Sequence, residues 1–325
     1  TWNKQIMKKI LEKYKNFFLF LFLLTVIFSN NLSASNKIKI IKKVNNEIIT
    51  NFDVLKEINY LTALNNSLEN LSLEDQFKIA EESLIREKIK YSEITKFIDV
   101  ENFNNIKLIE KVMSNLINDL GLNNKSEFEN YLLNFQIKSL DVKKKITIEV
   151  LWNQLISSKY RDKINVDENE LLNKIKKQNL DNNNILEYDL SEIIFQAKNR
   201  DELESKIKLI NQNILEIGFR NTANKFSISN TSKLGGKVGK VKENQLSKKI
   251  LNELNNINIG EYTKPIKIGN GFMILFINDK KIINQKIDEK ILLDNMIEFE
   301  KQKQFDSFSQ IYFNKIKINS QIYEF

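Results

Sequence analysis

Six of the eight glycines and the only proline of this chain lie between Gly235 and Gly271. Elsewhere there are only two glycines, Gly121 and Gly218, and no proline. The cluster therefore marks backbone geometry that residues with a Cβ rarely adopt, and at Pro265 a position that has no amide donor. Whatever module occupies this stretch must be rich in tight turns. The strand and helix patterns on either side must return to it.

On its N-terminal side stands YDLSEIIF, Tyr188 to Phe195, which alternates as a strand does. Tyr188, Leu190, Glu192 and Ile194 share one face, so a carboxylate sits among apolar neighbours. A helix is expected over Asp201 to Ile217, and a shorter one over Thr222 to Phe226. After the glycine loop come a helix near Leu246 to Leu254 and strands over 261–268 and 272–278. Gly235, Gly236 and Gly239 follow a helix and a polar loop and carry no Lys-Ser/Thr signature. They are therefore read as fold-forming and not as a phosphate cradle.

Residues 36–182 are mostly helical in pattern. A short strand, Ile38 to Val44, leads through the turn signal Asn45-Asn46 to Ile48-Ile49. Ile106, Ile109, Met113, Leu116, Ile117 and Leu120 form one helical stripe, closed by Gly121. Ser126 and Glu129 have capping-box spacing. A further helix covers Asp141 to Ser158, and Asp167 and Glu170 cap another over Glu168 to Lys177. The run Leu180 to Asn184 is a polar break. A long helix is expected from Asp288 to Asn314, and the final IKINSQIYEF alternates like a strand. The helical stripes read first as helix–helix core, although an open apolar groove has the same signature.

The chain contains no cysteine and no histidine. That excludes disulfides, Cys- or His-ligated zinc, Cys or His catalysis and a lipoprotein anchor. Net charge is +8, of which residues 1–35 supply +4 through five lysines against one glutamate. No basic stripe interleaved with aromatics points to nucleic acid, and no nucleotide motif or cofactor signature is visible. Lys8, Lys9, Lys13 and Lys15, the apolar run Phe17 to Phe28 and the small residues Ser33-Ala34-Ser35 have the pattern of a secretory signal peptide cleaved before Asn36. A retained membrane anchor is the alternative, for which the run is short.

The order β-α-α-loop-α-β-β, with LGGKVGKV (234–241), IGEYTKPI (259–266) and GNGFMIL (269–275), resembles a parvulin-type peptidyl-prolyl isomerase domain. VNNEIITNFDV (44–54), LIREKIKYSE (84–93) and INVDENE (164–170) resemble SurA-type periplasmic chaperones. The likeness covers nearly the whole exported chain. It implies an α+β fold: a signal peptide at 1–35, a helical chaperone module at 36–182, a parvulin-like β-α3-β-α-β2 domain at 183–281, and a C-terminal helix and strand at 282–325 packing back on the helical module.

In parvulins the polar site comprises two histidines, an Asp or Cys, and a Thr or Ser. The resemblance places these positions at Glu192, Met273, Ser229 and Ile268, and all four depart from the family pattern. It places a proline-binding slot at Leu246, Ile250 and Phe272; ordinary domain core is the competing reading of those three. The implied function is an ATP-independent periplasmic chaperone for unfolded outer-membrane proteins or other extended polypeptides, with the parvulin domain weak or inactive. An active isomerase using Glu192 and Ser229 is the alternative. A membrane-tethered foldase of the PpiD or PrsA kind is disfavoured by the missing cysteine and the short apolar run. Without a histidine partner, Glu192 is expected to reach solvent or to accept a hydrogen bond from Ser229.

Overall fold

A computed structural model describes residues 37–100, 102–103, 105–176, 184–269, 271–284 and 289–325. The expected signal segment, Asp288 and the polar run up to Asn183 lie outside the described residues. The chain divides into two compact units, 1–39 and 40–325. Residues 37–39, the described part of the first, carry no regular element. Everything below concerns the second.

Its N-terminal part opens with a hairpin, β1 (Ile40–Val44) and β2 (Glu47–Thr50), turned at Asn45 with φ +54°. Thr50 ends β2 and caps α1 (Asn51–Leu64): its hydroxyl accepts the Asp53 N–H, and the Asp53 carboxylate accepts the Thr50 N–H, a reciprocal box that satisfies two donors. There follow α2 (Leu73–Ile94), α3 (Ile106–Asp119), α4 (Lys125–Leu133), α5 (Ser139–Tyr160) and α6 (Glu168–Lys176). Gly121 takes φ +75° after α3, as its position predicts. Asp167 caps α6 through the Glu170 N–H at 2.9 Å. The expected box at Ser126 and Glu129 is corrected: both lie inside α4, whose cap is Asn124, bonded to the Glu127 N–H at 2.9 Å.

The second part holds the antiparallel sheet β4-β3-β6-β5, made of β3 (Asn184–Phe195), β4 (Lys237–Lys242), β5 (Ile266–Ile268) and β6 (Gly271–Asn284). Helix α7 (Arg200–Phe226) covers one face, with Ile210, Ile214 and Phe219 against Ile193, Phe195 and Ile274. Gly218, at φ +80° and ψ 162°, breaks α7 between the two helical stretches read from the sequence. On the other face α8 (Lys248–Asn255) sets Ile250, Leu251 and Leu254 against Tyr188, Leu190, Ile194 and Met273. The strand expected over 261–268 is shorter than its apolar pattern. Pro265 cannot donate, so pairing starts at Ile266, and upstream only a bridge joins Tyr262 to Phe276.

Helix α9 (Glu289–Ile318) and strand β7 (Ile322–Glu324) return to the N-terminal part. β7 pairs with β1 in the order β2-β1-β7. The final alternating stretch is strand only at its end, because Ile316 to Ile318 continue the helix and Ile316 packs on the helical core. Phe305, Phe308, Tyr312 and Phe313 pack around Ile94 and Trp152, which is fully buried. The Trp152 indole N–H donates to Ser309 at 2.8 Å, and Tyr160 stacks on Phe308 at 4.7 Å. Replacing such a tryptophan by alanine costs about 3–5 kcal/mol. No helix among the described residues is long and apolar enough to cross a membrane.

Candidate functional site

The fold brings Glu192 of β3 and Ser229 together. Three backbone-level bonds achieve this. The Ser227 hydroxyl accepts the Ile194 N–H at 3.0 Å, the Ile228 N–H donates to the Ile194 carbonyl at 2.8 Å, and the Glu192 N–H donates to the Gly236 carbonyl at 2.8 Å. The segment after α7 is thereby fastened along β3 at Ile194 and at Glu192 itself. Gly236 is required there: a Cβ would stand 2.3 Å from the Glu192 carbonyl oxygen, and its φ is +76°.

Glu192 is half-buried and accepts two hydroxyl donors on Oε1, Ser229 at 2.5 Å and Thr231 at 3.0 Å. The bond from Ser229 expected from the sequence is present. Burial raises the Glu192 pKa, and the two hydroxyls only partly oppose it. Thr231 was not read as a site residue. The signal for it was local: Ser229 accepts the Thr231 N–H at 3.3 Å in a tight Ser-x-Thr turn. Asp306 of α9 is the second addition. Burial pushes its carboxyl up to about 6; a bond from Gln302 opposes this in part, and repulsion from Glu192 adds the smallest share. Among the described residues neither carboxylate has a cationic partner.

The apolar positions divide. Leu246, Ile250, Ile268 and Met273 lie together on the Glu192 side of the sheet. Phe272 does not join them. It packs on the opposite face, stacked on Phe195 at 5.8 Å, because adjacent strand residues point to opposite faces. The expected grouping of Phe272 with Leu246 and Ile250 is thus corrected: Met273, not Phe272, shares their side of the sheet. The Met273 and Ile268 side chains carry no hydrogen-bond donor. Among the described residues no group of three or more Asp or Glu side chains is arranged to hold a metal ion.

Residues 188–279 match the rotamase family, PPIC-type PPIase domain. The stretch runs from Tyr188 of β3 to Asp279 of β6 and so contains Glu192, Ser229, Thr231, Leu246, Ile250, Ile268 and Met273. No curated protein matches the chain. Among solved structures, a PpiC-type peptidyl-prolyl cis-trans isomerase domain is 25% identical over 30% of this chain and 92% of its own, with a TM-score of 0.27. A structure from a study of two SurA-like chaperones of Campylobacter jejuni, PEB4 and the periplasmic protein Cj1289, is 16% identical over 88% of this chain and 98% of its own, with a TM-score of 0.33. PrsA from Bacillus anthracis is 15% identical over 74% and 98%, with a TM-score of 0.28.

The PPIase domain is attached to the helices by buried polar contacts. Asn65 donates to Asn224 at 2.6 Å and to Asn221 at 3.3 Å, and Arg86 donates to the Ser227 carbonyl at 2.8 Å. Lys233, just upstream of the glycine pair, reaches Glu149 of α5 at 3.2 Å, and Lys90 of α2 reaches the same carboxylate at 2.6 Å. Burial alone would raise the Glu149 pKa, but Lys90 and Lys233 together bring it down to about 2.

Proposed function

We propose that this chain is an extracytoplasmic, ATP-independent chaperone that holds extended polypeptides, with a PPIase domain that is a poor isomerase. The supporting observation is that the hydroxyls of Ser229 and Thr231 both donate to Glu192. Rotation about an X-Pro bond meets a barrier of about 18–20 kcal/mol. Lowering it calls for an apolar slot and for donors free to follow the twisting amide. Here the slot is kept by Leu246, Ile250 and Met273, while the two hydroxyls near Glu192 are engaged and Ile268 and Met273 offer none. What remains is a surface that binds an apolar segment without assisting its rotation.

The same reading divides the chain into a helical module of 36–182 and 282–325 and a PPIase domain of 183–281. It takes residues 1–35 as an export signal, places the protein in the periplasm, and takes unfolded outer-membrane proteins as clients. Suppression of aggregation tests the holding role. Light scattering of a diluted, urea-unfolded outer-membrane β-barrel should fall at a stoichiometric amount of the mature chain. Unchanged scattering would sink the chaperone reading.

A further inference from the structure

The small sheet β2-β1-β7 has β7 (Ile322–Glu324) at one edge. Its bonds to β1 fall on alternate residues. The Asn45 N–H donates to the Gln321 carbonyl at 2.8 Å, and the Phe325 N–H donates to the Ile41 carbonyl at 3.1 Å. Tyr323, opposite Lys43, lies midway between them. In an antiparallel ladder, pairs that exchange bonds alternate with pairs that do not. Gln321, Tyr323 and Phe325 therefore direct their backbone groups at β1, and Ile322 and Glu324 turn theirs outward. Among the described residues nothing bonds the N–H and C=O groups of those two.

The other sheet edges are blunted. β4 carries Lys237, Lys240 and Lys242. At β5, Pro265 precedes the strand, and the Lys249 ammonium donates to the Lys267 carbonyl at 3.0 Å. β2 runs directly into α1, and Asp53 takes the Thr50 N–H. Lysine, proline and short covered ends are what keep an edge from pairing. β7 has neither lysine nor proline, and its outward groups are open.

The face beside this edge is apolar. Register and alternation put Ile41 and Lys43 of β1, Ile48 of β2, Tyr323 and Phe325 on one side of the sheet. The core lies on the other side, where Val44 and Ile49 are fully buried. Ile48, Tyr323 and Phe325 are exposed. A chain laid along β7 would set every second side chain beside Tyr323 and Phe325, and the alternate ones beside Ile322 and Glu324.

We propose that the free edge of β7 takes up an extended polypeptide as a fourth strand, one that alternates apolar or aromatic side chains with polar ones. Donors and acceptors spaced two residues apart match the backbone of an extended chain, and the apolar face selects the alternate side chains. Strand addition stands on the edge geometry alone; that its natural occupant is an unfolded client rests on the function proposed above.

The probe is the heptapeptide acetyl-Lys-Tyr-Thr-Phe-Thr-Tyr-Lys-amide, added to the whole chain. Amide hydrogen exchange followed by NMR should slow at least tenfold at Ile322 and Glu324 and stay unchanged at Tyr323, which β1 already bonds. Glu324→Pro deletes an outward N–H and spares the β1 ladder, whereas Glu324→Ala keeps that N–H. Affinity for the labelled peptide, read by fluorescence anisotropy, should be about tenfold weaker in the proline variant than in the alanine variant. The exchange measurement uses the unsubstituted chain, so it decides even where the proline variant fails to fold. Unchanged exchange at Ile322 and Glu324, equal affinities of the two variants, or no binding at millimolar peptide would each overturn the proposal. So would a dimer of the parent chain that Glu324→Pro abolishes, since the edge would then belong to a second copy. Failure of the chain to suppress aggregation, with peptide binding as expected, would count against the chaperone reading alone.

Discussion

The Ser229 hydroxyl donates to Glu192 at 2.5 Å, and the Thr231 hydroxyl donates to the same carboxylate oxygen at 3.0 Å. A carboxylate on an apolar strand face is stable here because two hydroxyls replace part of its lost hydration. Ser229→Ala should therefore destabilise the protein by about 1–3 kcal/mol in urea denaturation at pH 7. The loss should shrink when Glu192 is already leucine. An equal loss in both backgrounds would show that Ser229 acts through something other than the carboxylate.

Asp306 is an acid whose native pKa is raised, from 3.8 to about 6, by burial and by Glu192. An acid raised in the native state favours folding below its unfolded pKa, and that contribution is lost as pH rises through the native value. Asp306→Asn should thus stabilise the protein at pH 7.5, by about 1–2 kcal/mol after allowance for solvent screening, and leave it nearly unchanged at pH 4. Paired denaturation curves at the two pH values check this. A gain of the same size at both would be the wrong result.

Glu149 has the opposite sign. Despite its burial, Lys90 and Lys233 hold it at about 2, so its contribution is present above 4.5 and fades as pH falls toward 2. Glu149→Gln strands two buried ammonium groups between the helices and the PPIase domain. A loss of about 3–5 kcal/mol at pH 7 is expected. Near pH 2 the variant and the parent should converge.

Two glycines separate crowding from backbone strain. Gly236→Ala drives a Cβ into the Glu192 carbonyl at 2.3 Å, whereas at Gly239, with φ +87°, a Cβ meets nothing within 4 Å. Gly239→Ala should cost only the left-handed backbone term, about 1–2 kcal/mol. Gly236→Ala should cost clearly more and should also disturb the Ser229–Glu192 bond. Thermal or urea unfolding of the two variants would rank them, and the reverse order would contradict the geometry.

Much of this architecture is legible in the sequence because it rests on local rules. Alternation gives β3, helical stripes give α3 and α5, and Gly218 separates the two stretches of α7. The Glu192–Ser229 pair was legible because the parvulin resemblance implies both positions, Glu192 on the alternating strand and Ser229 in FSIS. Asp306 was not, since only the tertiary return of α9 brings it to Glu192. Phe272 was misplaced although alternation alone forbids it a common face with Met273. The capping spacing of Ser126 and Glu129 misled because Asn124, two residues earlier, takes the cap and Ser126 falls inside α4. The last strand was overextended because Ile316 to Ile318 serve a helix packed on the module as well as they would a strand.

The proposed poor isomerase keeps apolar side chains at Leu246, Ile250 and Met273 while the Ser229 and Thr231 hydroxyls are engaged by Glu192. Its most direct test is cis-trans exchange of a Phe-Pro peptide measured by NMR with catalytic amounts of the unsubstituted chain. Exchange at the uncatalysed rate, on the scale of tens to hundreds of seconds, is the predicted result. Efficient exchange that disappears in Glu192→Gln or Ser229→Ala protein would contradict it.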